Sequence, residues 1–290
     1  MLIVNADDLG LAEGVSRAIF TCHEIGIVSS ASIMANMPDA ANAAKRLRDF
    51  PGLGIGVHLN LTEGTPLSAP RDVEGLIDSS QRFFRCPQQI ANLSRKPWLF
   101  GAVKREFCSQ IEWCLNAGIK LTHIDSHHHM ARLPIAVLAA GQVARTYGIR
   151  SIRCGAIRRL PVDRDRGRAG RPLGKSLGQA LGRTAHRLNG LIWRQVFGLL
   201  QPDERLLFPH GEASSVIDPE AFWRNFFRQV PEGITELGCH PGFEQAFDGD
   251  SAAMARVRAV ELALLSSDGA RAALRSCGIE LATYGDLVKS

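Results

Sequence analysis

The sequence predicts an α/β protein whose parallel strands close into a (β/α) barrel or lie in an open, doubly wound sheet. Three observations predict it. Short apolar runs rich in β-branched residues alternate with longer helical patterns along most of the chain. The 290 residues are 45% hydrophobic and 22% charged, enough for one large core and unlike a disordered, collagenous or coiled-coil chain. Finally, the residues able to do chemistry stand at the ends of different apolar runs, as they do where barrel strands converge on one rim.

The elements follow in order. Apolar runs predict strands over 2–6, 27–34 and 53–61, with amphipathic helices over about 13–24 and 40–49 between them. Gly54 and Gly56 in the third run point to a curved or tightly packed backbone. Residues 64–97, punctuated by Pro66, Pro70, Pro87 and Pro97, lack strong periodicity and read as a long connection of the kind that forms a lid or substrate wall. A helix over 99–117, a strand over 121–125, a helix over 134–147 and a short strand over 151–153 come next. Pro134 suits a first helical turn, where its missing N–H costs nothing. The stretch 155–210 breaks the rhythm, Arg- and Gly-rich at first and then amphipathic around 188–200. It reads as a basic insertion in a single domain spanning 1–290. A helix over 219–229, a strand over 234–239, helices within 251–276 and a closing strand over 279–283 complete the pattern.

The formal charge of +5 is unevenly spread: Arg150 to Arg194 holds twelve basic and two acidic residues, a local +10 that leaves the other 245 residues at −5. No run approaches the roughly 18 apolar residues of a membrane span, and two acids stand where a signal peptide would have its apolar core. Seven scattered cysteines without a C-x-x-C pair fit neither a disulfide framework nor a zinc ribbon, so a cytoplasmic protein is expected.

Asp7-Asp8, His58, Asp125-Ser126-His127 and His240 each follow a different predicted strand. Two imidazoles and one carboxylate suit a hydrolytic metal. A second carboxylate can take a proton from water, and a histidine on the far side can protonate a leaving group. Blander readings exist for each: a helix N-cap for Asp7-Asp8, a satisfied core histidine for His58, a surface loop for His127-His128-His129. Adjacent acids ending an apolar strand are costly to bury without a cation, and three histidines just after His123-Ile-Asp125 are rare by chance. Cys239 reads as an inert core thiol. Gly174-Lys175-Ser176 is not a phosphate loop, because Ala169 occupies the position of its first glycine. No H-E-x-x-H occurs, and Asp125, Ser126 and His127 are too close in sequence to form a relay.

Four segments carry a family resemblance: Ile3-Val-Asn-Ala-Asp7-Asp8-Leu9-Gly10, Gly56-Val-His58-Leu-Asn-Leu-Thr-Glu-Gly64, Thr122-His123-Ile-Asp125-Ser-His127-His128-His129, and Cys239-His240-Pro-Gly242. In this order they resemble the YdjC-like carbohydrate deacetylases, the family of the ChbG-type chitooligosaccharide deacetylases, with hopanoid-biosynthesis-associated deacetylases as cousins. Leu9 stands where phenylalanine is usual, and 155–210 matches no family motif. The resemblance implies a distorted TIM-like (β/α) barrel, distantly similar to NodB-type polysaccharide deacetylases. It implies one divalent cation, Mg2+ or Zn2+, held by Asp8, His58 and His127, with Asp7 as general base and His240 as acid. Asp125 and His123 would stand behind the ligands, Asp125 orienting one of the histidines. The implied reaction removes an N-acetyl group from an amino sugar, oligosaccharide or glycolipid and releases acetate.

Two other readings compete. One is a phosphoesterase on the same metal; the other is a polyanion-binding module using 150–194, where Trp193 and Phe197 offer little stacking surface for bases. No nucleic-acid partner and no transmembrane segment are expected, and a homo-oligomer is compatible with the sequence. If 155–210 folds over the barrel mouth, its arginines would favour an acidic or phosphate-bearing carrier of the sugar.

Overall fold

All eight residues of β1 (Leu2–Leu9) are buried, as a strand covered on both faces requires. Around it the chain places β2 (Ser30–Ile33), β3 (Gly54–Leu59), β4 (Leu121–Ser126), β5 (Ser151–Ile152), β6 (Ile157–Arg158), β7 (Glu204–Leu207) and β8 (Thr235–Cys239). They form one sheet in the order β5-β4-β3-β2-β1-β8-β7-β6, with every pairing parallel. The computed structural model describes residues 1–153, 157–158, 188–209, 216–243, 247 and 249–289.

The two ends of this sheet are joined by the chain itself. β5 pairs with β4 and β6 with β7, yet only residues 153–156 separate them. At the base, Leu200 bridges Ser151 in parallel: Ile152 N–H donates to the Leu200 carbonyl (2.9 Å), and Leu200 N–H to the Arg150 carbonyl (2.8 Å). The sheet is thus curled into a distorted (β/α) barrel, with the C-terminal strand ends at one rim.

Helices α1 (Glu13–Glu24), α2 (Ala40–Arg46), α3 (Cys86–Arg95), α4 (Phe100–Asn116), α5 (Pro134–Thr146), α6 (Pro219–Phe227), α7 (Ala252–Leu265) and α8 (Asp268–Ser276) pack around the strands, with a further helical run at 188–197. Fully buried rings such as Phe20 and Phe107 seal the helix–sheet contact, each contributing about 1.5–3 kcal/mol relative to exposure. Pro134 sits in the first turn of α5, as expected. No helix among the described residues is long and apolar enough to cross a membrane, and the six described cysteines are all free.

Three expectations change. Residues 64–97 contain α3, whose Pro87 lies in its first turn and whose buried Gln89 and Leu93 define its inner face; with so many polar positions its period was hidden. The end of the stretch read as an insertion belongs to the barrel, because β7 pairs with β8. Only four residues long and half charged, β7 gives no apolar run. Residues 279–283 form no strand: Leu281 makes one bridge to Leu2, and Ala282, Tyr284 and Leu287 cluster with Ile3 and Ile234 to plug the base. Most of the basic stretch, residues 159–187, lies outside the described residues, and with it the suggested cover over the mouth.

Candidate active site

In a regular strand neighbouring side chains point to opposite faces, so Asp7 and Asp8 should not share a site. β1 breaks that rule. Its register with β2 shifts between Ala6 and Leu9, and Asp8 takes a left-handed φ of 70°. A bulge of this kind re-aims a side chain and is over-represented beside active sites. Gly10 follows at φ 86°, where a Cβ would lie 2.9 Å from Ala40 Cα, so the Leu-Gly exit from the bulge requires glycine. Neither aspartate caps α1, whose N-cap is Ala12 without a side-chain bond.

The bulge brings Asp8 Oδ1 to 3.1 Å from His127 Nδ1 and 3.5 Å from His58 Nε2. These three atoms lie within 4.8 Å of one another. His58 is fixed from behind: its Nδ1 lies 2.6 Å from Asp125 Oδ1 and 3.2 Å from Ser32 Oγ, and Ser32 donates to Asp125 Oδ2 (2.8 Å). In the neutral ring, with Nδ1–H committed to a carboxylate, the lone pair would sit on Nε2, the nitrogen that faces Asp8. His127 stands on the first residue after β4. Its ring meets His58 edge-on at 5.4 Å and packs against His128, whose Nδ1 is 2.9 Å from Thr62 Oγ. His128 and His129 adopt left-handed φ values of 48° and 54°, the sharp turn that returns the chain over the rim.

Asp7 faces the other way. Its carboxylate is gripped on both oxygens by Arg153, with Nη1 2.7 Å from Oδ2, and Asn5 Nδ2 donates to Oδ1 (3.0 Å). The same guanidinium reaches Asp125 Oδ2 (2.9 Å) and Glu236 Oε1 (2.7 Å). His240, 30% exposed at its side chain, sets Nε2 3.7 Å from Asp7 Oδ2 and Nδ1 3.9 Å from Glu261 Oε1. Asp8 Oδ2 is bound by Arg258 Nη2 at 2.8 Å.

Burial opposes charge on all these groups, and their partners decide the outcome. Arg153, then His58 and His240, hold the Asp7 carboxyl far below the usual carboxylate range despite burial. Arg258 with His127 and His58 does the same for Asp8, and Arg153 with His58 lowers Asp125. Burial would lower His58, but Asp125, Asp7 and Asp8 raise it to about 9. His240 is also raised: burial is outweighed by Glu261, Asp7 and Asp8.

His123 corrects an expectation. As an inward residue two positions before Asp125 it lies about 7 Å deeper along β4, and among the described residues it makes no hydrogen bond to His58 or His127. Its Nδ1 meets Thr122 Oγ (3.0 Å), and its ring stacks on Tyr284 at 3.8 Å. Burial drives it down to about 3, so it stays neutral.

Sequence reasoning missed Arg153, Arg258, Glu236 and Glu261. Arg153 falls within the basic stretch; the only sequence signal was its place at the end of the predicted strand 151–153, where other site residues also fall.

The donor set fits a divalent cation. Asp8 Oδ1 is buried and accepts no well-formed hydrogen bond among the described residues, although two imidazole nitrogens converge on it. Such an orphaned oxygen is costly unless charge meets it. The second acidic group, Asp7, His58 and Asp125, is already filled by the Arg153 guanidinium.

Residues 1–276 match a family model described as YdjC-like protein. A carbohydrate deacetylase of Geobacillus stearothermophilus is 31% identical over 290 residues, covering 99% of this chain and 98% of the relative. One of Vibrio vulnificus is 28% identical, covering 99% and 96%. Among solved structures, a proposed cellobiose-phosphate cleavage protein from Enterococcus faecalis V583 superposes with a TM-score of 0.70 at 26% identity, covering 99% of this chain and 98% of the other.

Proposed function

This chain belongs to the YdjC-like protein family, and from that premise we propose that it is a carbohydrate deacetylase that hydrolyses the N-acetyl group of an amino sugar, oligosaccharide or glycolipid. The observation that carries the reading is the convergence of Asp8 Oδ1, His58 Nε2 and His127 Nδ1 beside an ionised Asp7 and a partly exposed His240. The relatives named carbohydrate deacetylase support a sugar substrate.

Asp8, His58 and His127 would hold the cation. When bound, it supplies positive charge to polarise the amide carbonyl and to make water a better nucleophile. The other steps fall to the chain. Asp7, fixed by Arg153, is ionised and able to accept the proton of the attacking water. As the new C–O bond forms and the C–N bond breaks, His240, whose protonated form its acidic neighbours favour, delivers a proton to the departing nitrogen. Asp125 holds the His58 ring so that Nε2 faces the ligand position. The two-imidazole, one-carboxylate set suits zinc on ligand type, and magnesium is the alternative that metal analysis separates. A cytoplasmic location belongs to the same proposal, supported by the free, scattered cysteines.

The deciding experiment measures acetate release from an N-acetylglucosamine oligomer series and from acetylated glycolipids, with and without chelator. Chelator-sensitive release from at least one class is expected. Phosphate release from phosphomonoesters with no acetate from any acetylated sugar would overturn the proposal.

A further inference from the structure

Helix α7 turns two buried charged residues, Arg258 and Glu261, toward the rim of the barrel. Glu261 accepts the His240 backbone N–H. Arg258 does more. Its Nη2 holds Asp8 Oδ2 (2.8 Å), its Nε is anchored on Asp250 Oδ2 (2.6 Å), and its Nη1 reaches the His240 carbonyl (3.4 Å). Its own carbonyl accepts the Gly242 N–H (3.1 Å). Gly242 packs so closely that a Cβ there would lie 2.8 Å from Arg258 Cδ. One residue therefore touches both the strand that carries Asp8 and the Cys-His-Pro-Gly loop that carries His240.

We propose that Arg258 is a positioning residue that aims Asp8 Oδ1 at the two imidazoles and sets the spacing between that carboxylate and His240. The inference rests on the deacetylase reading above. A carboxylate on a left-handed bulge is free to rotate unless one oxygen is pinned, and pinning Oδ2 leaves Oδ1 as the inward ligand atom. The planar fork of arginine serves three acceptors in fixed directions at once; a lysine ammonium keeps the charge but not the fork. Residues that orient a ligand in this way usually change metal affinity by about 10–100-fold when removed.

The test titrates Co2+ into the wild type, Arg258→Ala and Arg258→Lys by calorimetry, records the visible absorption of the bound ion, and checks folding by circular dichroism. The wild type is expected to bind one Co2+ per chain. Arg258→Ala should bind about 10–100-fold more weakly with an altered spectrum, added guanidinium ion should recover part of both, and Arg258→Lys should fall between. If Arg258→Ala fails to fold, Asp250→Asn, which releases the Nε anchor, takes its place beside Arg258→Lys. Wild-type affinity and spectrum in the folded variants overturn the proposal while leaving the metal reading intact. A wild type that binds no Co2+ overturns the metal reading and this inference together.

Discussion

Replacing Arg153 by methionine removes the counter-ion of three buried carboxylates. Asp7, Asp125 and Glu236 each lie within 2.9 Å of its guanidinium and are at most 4% exposed. Methionine fills similar apolar volume, so the loss is electrostatic. Stripping one partner from a buried ion pair costs about 3–5 kcal/mol, because the other charge stays behind unpaired. At about 2–4 °C of melting temperature per kcal/mol for a chain of roughly this size, a fall of about 6–20 °C is expected at pH 7. The pH dependence identifies the cause. In the wild type the Asp7 and Asp125 carboxyls are held below their unfolded values; their contribution is present above about pH 4 and fades only as acid protonates them. In the variant, burial acts without the guanidinium and raises them, so the penalty is full at neutral pH and shrinks as the pH falls through the raised values. Thermal melts of both proteins at pH 7 and pH 5 should show the gap narrowing in acid. A gap equal at both values, or one below about 1 kcal/mol at pH 7, would refute Arg153 as the counter-ion.

Other consequences are as open to measurement. Asp7→Asn should abolish acetate release yet retain the cation, whereas His58→Ala and His127→Ala should lose both; metal analysis of the purified variants decides, and an active, metal-loaded His58→Ala/His127→Ala double variant would dissolve the site. Gly56→Ala places a Cβ 2.4–2.6 Å from three ring atoms of His123, which is clamped against Tyr284, and should destabilise by about 1–3 kcal/mol. Most of that loss should vanish in a His123→Ala background, and its persistence there would mean another clash is responsible. Burial pushes the Cys114 thiol up to about 12, and Cys22 and Cys239 are raised as well. Alkylation of native protein followed by peptide mass mapping should therefore label half-buried Cys108 and Cys277 long before these three; rapid labelling of Cys239 contradicts its place in the sheet.

The barrel was legible because its signals are local, whereas the trio proposed as ligands came from the family resemblance. Asp7-Asp8 ends an apolar run, His127 follows a strand directly, and the strand and helix periods show through most of β1–β4. The supports were not legible because their partners are chosen over long distances: Arg153 meets Asp7 across 146 positions and Arg258 meets Asp8 across 250. A charge count treats both arginines as surface. Depth along a strand is likewise invisible to a period of two, so His123 and Asp125 looked equivalent although only Asp125 touches His58. The bulge that re-aims Asp8 beside Asp7 has a sequence trace only in Gly10, because the neighbouring left-handed residue is an aspartate.

The strand order also bears on biosynthesis. β5-β4-β3-β2-β1 are successive neighbours, all made before residue 153; they carry Asp8 and His58, and His127 directly follows β4. β8, which covers the open side of β1, ends at Cys239, and Arg258 follows later still. At about 5–20 residues per second, β1 is made several seconds before the strand that covers its open side. The Asp8 carboxylate is made 250 residues before its Arg258 partner, so on the proposal above the cation site would be complete only once α7 has been made.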